Sequence, residues 1–257
     1  MAGFYRRLGG DRYLATPHTA GPWSTESQHL GPPSALLVRE MENLAPRAGM
    51  AFARVVLDVL GPVPVAELEV SASVVRPGRS VELLGAELRH EGRAVLRAQA
   101  WRISGGDTSS LATEFSGMLP EPRMCPVMEM PAEWACGYLE AVDWRSVEGG
   151  IFAPGDAIVW GKPLMPTVEE EESTALQRMF AITDSASGVS SRLDIREWFA
   201  INTDLAVHLH REPQGSWFAL DAETAIGPGG VGVATSEVHD LLGPVGRTAQ
   251  SLFVRER

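Results

Sequence analysis

The C-terminal stretch from Phe199 to Arg257 decides the fold class, because it contains four strand-like segments joined by short turns. The first segment reads Phe199-Ala-Ile-Asn-Thr-Asp-Leu-Ala-Val-His-Leu-His210, in which apolar and polar residues alternate. Such a period of two is typical of a half-buried strand. It predicts an apolar face made of Phe199, Ile201, Leu205, Val207 and Leu209 and a polar face that carries Asn202, Asp204, His208 and His210.

Three more strand-like segments follow, each after a turn rich in glycine or proline. The segments predicted as strands are Ser216–Thr224, Val231–His239 and Val245–Val254. Their connections are too short to contain crossover helices, so consecutive strands must run in opposite directions. The C-terminal region is therefore predicted to be an antiparallel meander.

An upstream segment repeats this pattern of strands and turns. A shift of 151 residues aligns Pro77 with Pro228, Gly92 with Gly243 and Gln99 with Gln250 without a gap. Coinciding turns and strands are typical of an internal repeat. We therefore predict an α+β chain in which one unit is used twice. Its parts are an N-terminal unit (1–120), a linker rich in Pro and Met (121–134) and a C-terminal unit (135–257).

Composition and charge limit the classes of partner. The chain has 257 residues, 44% of them hydrophobic, and a net charge of −11. This charge argues against nucleic acid and anionic membranes as general partners. Two cysteines in a chain this long favour a reducing compartment. No apolar run suits a signal peptide or a membrane span, so we expect a cytoplasmic protein without a membrane partner.

A helix in the second unit carries an acidic residue on its apolar stripe. Leu176, Phe180 and Asp184 lie at positions i, i+4 and i+8, so they share one face. Asp184 should point inward near the C-terminal end of the helix, where both burial and the helix dipole disfavour its charge. It therefore needs nearby donors or a raised pKa. The alternative is a carboxylate that only caps the following loop, 185–188.

Two amide side chains complete a candidate water-holding site. Gln250 shares its strand face with Thr248, Leu252 and Val254, so its amide must find hydrogen-bond partners. Asn202 projects from the first strand of the meander. Together with Asp184, these residues could bind one water molecule, although Gln99 in the first unit leaves open that the scaffold itself favours glutamine.

Other motifs indicate structure more than chemistry. Gly227-Pro-Gly-Gly-Val-Gly232 matches the dinucleotide-binding pattern, but strand residues follow it where a helix is required. Glu169–Glu172 is typical of a solvated helix start, because four consecutive acids diverge and cannot converge on a metal ion. His208 and His210 share a strand face without further clustered ligands. We predict neither a metal nor a cofactor.

Several segments together resemble the acyl-CoA thioesterase II (TesB-like) family. They are Gln28-His-Leu-Gly-Pro-Pro-Ser-Ala-Leu-Leu37, Asp184-Ser-Ala-Ser-Gly188, Asn202-Thr-Asp-Leu-Ala-Val-His-Leu-His-Arg211, Gly215-Ser-Trp217, Asp240-Leu-Leu-Gly243 and Thr248-Ala-Gln-Ser-Leu252. The resemblance implies a double hot-dog fold, in which each half wraps a curved antiparallel sheet around one long helix. It also implies that the substrate is an acyl-CoA thioester.

The resemblance assigns the catalytic roles to Asp184, Asn202 and Gln250. Asn202 stands where the family carries threonine, and Leu30 stands where relatives often carry a second glycine. The implied reaction is hydrolysis by an oriented water without an acyl-enzyme, with Asp184 as base. Backbone N–H groups around Gly31 are expected to polarise the thioester carbonyl, and Arg76 and Arg79 are candidates for binding coenzyme A phosphates.

Two alternatives to a thioesterase stay open. One is a non-catalytic hot-dog protein that binds acyl chains or acyl-CoA, which Asn202 favours. The other is a hydratase acting on enoyl thioesters, which would rely on a catalytic histidine paired with an aspartate; no histidine lies in the expected loop. A homo-oligomer of double hot-dog subunits is also possible.

Overall fold

The computed structural model describes residues 2–44, 46–115, 117–194 and 196–257. The N-terminal half consists of strands and one long helix. In chain order they are β1 (Tyr5–Gly9), β2 (Arg12–Ala15), β3 (Ala20–Gly21), β4 (Ser24–Gln28), α1 (Gly31–Asn43), β5 (Met50–Val59), β6 (Glu67–Arg76), β7 (Val81–His90) and β8 (Arg93–Ser104).

The C-terminal half repeats this order after a connection that contains only short 3-10 turns among its described residues. Its elements are α2 (Gly137–Glu140), β9 (Val142–Glu148), β10 (Ala157–Pro163), α3 (Ala175–Thr183), α4 (Ala186–Val189), β11 (Trp198–Asn202), β12 (Asp204–Leu209), β13 (Phe218–Ile226), β14 (Val231–Asp240) and β15 (Gly243–Glu256).

One antiparallel sheet runs through both halves. The strand order is β1-β2-β6-β7-β8-β5-β12-β15-β14-β13-β10-β9, with β11 paired to β15 outside this path. The halves join where β5 pairs with β12, for example Val55 opposite Val207 and Leu57 opposite Leu205. Helix α1 packs on β6 and β7, helix α3 packs on β10 and β13, and the two helices pack on each other. The α+β double hot-dog class is confirmed.

The repeat is present, but its register differs by one residue from the predicted shift of 151. Leu84 pairs with Ala100 in the first half, and Ala234 pairs with Gln250 in the second, so equivalent positions lie 150 residues apart. A one-residue shift moves a side chain to the other face of a strand. The predicted equivalence of Gln99 and Gln250 is therefore wrong: Gln99 is exposed, and Ala100 is the buried counterpart of Gln250.

A β-bulge divides the predicted strand from Phe199 to His210 into β11 and β12. Asn202 lies opposite Leu252 and Ala206 lies opposite Ala249, so three residues face two on β15. The extra residue reverses the alternation of side chains. Ile201 is consequently 42% exposed. Asn202 points to the inner side of the sheet, the same side as Gln250 of the neighbouring strand β15. The prediction that Ile201 shares a face with Leu205 is wrong for this reason.

The helices α1 and α3 approach each other closely at Gly31. A Cβ atom at this position would lie 2.3 Å from the carbonyl oxygen of Ala181 in α3. Any side chain at residue 31 would thus push the helices apart. This contact fixes the start of α1 against the C-terminal end of α3, where Asp184 follows.

Candidate functional site

Helix α3 places Asp184 at its C-terminal end. The helix begins after Thr174, whose hydroxyl accepts a hydrogen bond from the backbone N–H of Gln177 at 3.1 Å. The acidic run Glu169–Glu172 precedes this cap as a turn, so the prediction that it starts the helix is wrong; Thr174 caps the free N–H groups instead. Asp184 is only 5% exposed, as its place on the apolar stripe predicts.

Polar groups from three parts of the chain surround the Asp184 carboxylate: the segment before α1, strand β11 and strand β15. Its Oδ1 accepts hydrogen bonds from Asn202 Nδ2 and Gln250 Nε2, both at 2.9 Å. Its Oδ2 accepts one from the backbone N–H of Leu30 at 3.1 Å, and His29 Nδ1 lies 3.2 Å from the same oxygen. The structure thus brings Asp184, Asn202 and Gln250 together, and it adds the residues that precede α1.

The environment of Asp184 raises its pKa to about 7. Burial is the dominant cause, because it disfavours the charged carboxylate. The hydrogen bonds from Asn202, Leu30 and Gln250 oppose burial and lower the pKa, but they do not offset it fully. A carboxylate with this pKa is suited to accept a proton near neutral pH.

Gln250 has one amide orientation that satisfies its neighbours. Its Oε1 accepts a hydrogen bond from the backbone N–H of Ser187 at 3.2 Å, and its Nε2 donates to the backbone oxygen of Asp184 at 3.1 Å as well as to the carboxylate. The side chain is completely buried. Gln250 therefore connects β15 to Asp184 after α3 and to Ser187 in α4, and it holds Asp184 in place.

A cavity of about 500 Å³ opens beside the carboxylate. Its polar end carries Asp184, Asn202, Ser187 and His29. Most of the remaining lining is apolar and comes from the segments before α1, after β5 and before α2 and from strands β11 and β15; it includes Trp23, Leu30, Val63, Trp134, Trp198 and Phe253. An apolar cavity with a few polar groups at one end suits a ligand with a hydrocarbon chain and one reactive polar group.

Three residues predicted to bind substrate do not line this cavity. The N–H of Gly31 donates to His29 Nδ1 at 3.1 Å, so the expected donor is engaged within the protein. Arg76 is the last residue of β6, where it donates to the backbone oxygen of Val81, and Arg79 lies on the exposed turn that follows. Two arginines contact rings at the cavity rim: Arg257 lies over Trp23 and Phe199, and Arg255 lies over Phe253.

Sequence reasoning missed two residues of the site, His29 and Tyr138. The imidazole of His29 stacks on the Tyr138 ring with 3.7 Å between the centroids and 6° between the planes. The Tyr138 hydroxyl contacts the Ala181 backbone oxygen and Ser185 Oγ, which fixes the ring. His29 lies outside the loop in which a hydratase histidine was expected, yet its Nδ1 is 3.2 Å from Asp184 Oδ2. The sequence signal that could have indicated His29 is its position two residues before Gly31, the first residue of α1.

The internal repeat predicts a second site at the opposite end of the helix pair α1 and α3, but the residues there are different. A cavity of about 380 Å³ lies there, between the end of α1 and the start of α3. In the register of 150 residues, Phe52 and Ala100 replace Asn202 and Gln250. The two halves of the chain therefore differ in chemistry, and the amide pair belongs only to the C-terminal half.

Among the residues that the structure describes, no group of three or more His, Cys, Asp or Glu side chains is placed to hold a metal ion. Within the same ranges, no helix has the length and apolar character needed to cross a bilayer.

Comparisons with known proteins agree with the fold. The family model of the acyl-CoA thioesterase C-terminal domain matches residues 122–254, and the model of the N-terminal domain matches residues 19–103. A search of curated protein sequences finds no match.

Solved structures match over nearly the whole chain. A hot-dog protein of unknown function from Alicyclobacillus acidocaldarius has a TM-score of 0.76 and 15% identity, over 98% of this chain and 95% of that one. The tesB protein of Mycobacterium avium subspecies paratuberculosis (0.66, 16%) and the acyl-CoA thioesterase II TesB2 of Mycobacterium marinum (0.67, 14%) are covered to the same extent. At these identities the similarity shows the fold alone.

Proposed function

Since the chain belongs to the acyl-CoA thioesterase family, we propose that it hydrolyses acyl-CoA thioesters by direct attack of a water molecule that Asp184 activates. The single observation that carries this mechanism is the buried carboxylate of Asp184, which has a pKa of about 7 and borders an apolar cavity. A base with this pKa is largely ionised at slightly alkaline pH and accepts a proton readily.

Each polar group of the site has a distinct task in this proposal. Asp184 takes the proton from the water while the water oxygen bonds to the thioester carbon. The amides of Asn202 and Gln250 keep the carboxylate and the water aligned, because both donate to Asp184 Oδ1. Holding reactants in an attack geometry removes much of the entropic part of the barrier. The C–S bond then breaks, and the sulfur leaves as a thiolate, which takes up the proton that Asp184 had accepted.

The neighbours of Asp184 support direct hydrolysis without an acyl-enzyme. A serine or cysteine nucleophile needs a base within hydrogen-bond reach. The side chains that contact the Asp184 carboxylate among the described residues are two amides and one imidazole. Asn202 stands where the family carries threonine, and its amide donates a hydrogen bond to Asp184. A hydroxyl at this position is therefore not required to hold the carboxylate.

The shape of the site supports an acyl-CoA substrate. The apolar lining of the cavity suits the acyl chain, and the polar end suits the thioester. The nucleotide part of coenzyme A carries phosphates and must remain at the surface. Arg257 lies at the rim over Trp23 and Phe199, and among the described residues no acidic side chain pairs with it.

Several further expectations stay predictions. They are the unit boundaries 1–120 and 135–257 with a linker over 121–134, the cytoplasmic location and the assembly into homo-oligomers. The binding of coenzyme A phosphates by Arg76 and Arg79 and the role of Gly31 near the carbonyl also stay predictions.

Thiol release from short, medium and long acyl-CoAs tests the proposed function. We expect turnover by the wild type and its loss in Asp184→Asn and Gln250→Ala variants that keep the wild-type circular dichroism spectrum. Acyl-CoA binding without thiol release would favour the non-catalytic alternative. Addition of water to an enoyl thioester would favour the hydratase.

A further inference from the structure

Among the described residues that line the cavity, His29 carries the one titratable ring, and the catalytic proposal above gives this imidazole no task. Its side chain is 16% exposed and forms part of the cavity wall. The ring is held on one face by Tyr138, which is fully buried and is itself fixed by two hydrogen bonds. His29 is thus a rigid polar group beside the base.

The hydrogen bonds around His29 define which nitrogen carries the proton. The N–H of Gly31 points at Nδ1 and forms an aligned hydrogen bond of 3.1 Å. Asp184 Oδ2 lies 3.2 Å from the same nitrogen, but no aligned hydrogen bond joins this pair. Since Nδ1 accepts from Gly31, it has no proton of its own, and a neutral ring then carries its proton on Nε2.

The ring also stays neutral at working pH. Burial lowers the pKa of His29 to about 3, because the imidazolium would lose its hydration. The N-terminus of α1 begins two residues later, and its dipole acts in the same direction. The N–H of a neutral imidazole can donate a hydrogen bond to a carbonyl oxygen on which negative charge develops.

The remaining ring nitrogen, Nε2, is accessible and has no hydrogen-bond partner among the described residues. It is accessible because it does not belong to the buried side-chain atoms that lack a hydrogen bond. Because His29 lines the cavity and Nε2 is its accessible ring nitrogen, the cavity is the place where a ligand would meet Nε2. The position lies next to Asp184, so a carbonyl that binds there is within reach of a water on the carboxylate.

We propose that His29 is a catalytic residue whose Nε2–H donates a hydrogen bond to the thioester carbonyl oxygen. The inference rests on the proposed thioesterase function and adds the group that stabilises the oxyanion. When water attacks, its proton passes to Asp184 and the electrons of the C=O bond move to the oxygen, which the Nε2–H stabilises. The C=O bond then reforms, and the C–S electrons leave with the sulfur.

This arrangement explains why the Gly31 N–H need not touch the substrate. That backbone donor orients His29, and His29 presents the substrate with a donor from its other side. Gly31 is therefore a positioning residue for the imidazole as well as the point of contact between α1 and α3.

Steady-state kinetics of His29→Phe and His29→Gln test the proposal. Phenylalanine keeps a flat ring against Tyr138 but has no donor, whereas the glutamine Nε2 approximates the position of the histidine Nε2. We expect His29→Phe to lower kcat by about 10²–10³-fold with KM within about three-fold, as for loss of one oxyanion donor. His29→Gln should stay within about ten-fold of wild-type kcat. His208→Phe, on an exposed strand position, is the control.

A kcat of His29→Phe within three-fold of the wild type, or equal losses in both variants, would overturn the proposal. If the wild type hydrolyses no acyl-CoA, the proposed function fails, and ¹⁵N NMR of the imidazole then decides on His29 separately. We expect the neutral ring with the proton on Nε2 from pH 5.5 to 8. A proton on Nδ1, or an imidazolium at pH 6, contradicts the assignment.

Discussion

Replacing Asp184 by asparagine should abolish hydrolysis and, at alkaline pH, make the fold more stable. The folded carboxyl has a pKa of about 7, whereas the model value for an unperturbed aspartate is 3.8. A pKa raised by folding gives a stability contribution that is present below the unfolded pKa and is lost as pH rises towards the folded pKa. The window of loss therefore lies between pH 3.8 and about 7.

The magnitude follows from the width of this window. Each unit of pKa difference corresponds to about 1.4 kcal/mol, so the ionised Asp184 costs the fold about 4 kcal/mol above pH 7. The amide of the variant is not ionised. Its NH₂ group faces the Leu30 N–H, however, and an unsatisfied buried donor costs about 1–3 kcal/mol at every pH. The pH dependence separates these two effects.

Urea denaturation at pH 5.5 and pH 8.5 measures the difference. The stability of Asp184→Asn relative to the wild type should rise by about 2 kcal/mol between these pH values, because about 1.5 pH units of the window lie above pH 5.5. Asp156→Asn, which removes an exposed carboxylate paired with Arg192, is the control. A relative stability that does not change with pH would refute the burial of a carboxyl with a raised pKa.

Three other predictions test the base, the coenzyme A contact and the helix contact. The acid limb of kcat/KM should rise with pH through about 7 as Asp184 ionises, and a flat profile from pH 5.5 to 8.5 would exclude it as the base. Arg257→Gln should raise KM for acyl-CoA about two- to five-fold but not for acyl-pantetheine, whereas Arg76→Gln should change neither; the opposite result would favour Arg76, the residue predicted from sequence, over Arg257. Gly31→Ala should lower the free energy of unfolding by about 1–3 kcal/mol in urea titrations, while Gly229→Ala, where a Cβ meets nothing within 4 Å, should leave it within about 0.5 kcal/mol.

The site residues that could be predicted from the sequence are those that interrupt an apolar pattern. Asp184 stands on the apolar stripe of α3 and Gln250 on the apolar face of β15, so local periodicity alone indicates that both are buried. The strands and turns of the meander could be placed for the same reason, because alternation and Gly-Pro turns are local signals.

Long-range packing explains what the sequence did not reveal. The bulge before Leu205 inserts one residue without any glycine or proline to mark it, so the face of Asn202 was assigned from an alternation that breaks there. His29 meets Tyr138 and Asp184 only because two distant segments pack together. The shift of 151 residues matched turn residues, whereas pairing fixes the register at 150, and only coordinates distinguish these two values.

A single turnover in H₂¹⁸O with enzyme in excess over acyl-CoA tests the direct attack of water most directly. If a water held by Asp184 attacks the thioester carbon, the released acid carries one ¹⁸O atom in the first turnover and the enzyme stays unlabelled. If instead Asp184 attacks and an anhydride forms, hydrolysis at the enzyme carbonyl leaves unlabelled acid and places ¹⁸O in the peptide that contains Asp184. Mass spectrometry of both products separates the two results, and the second would contradict the account.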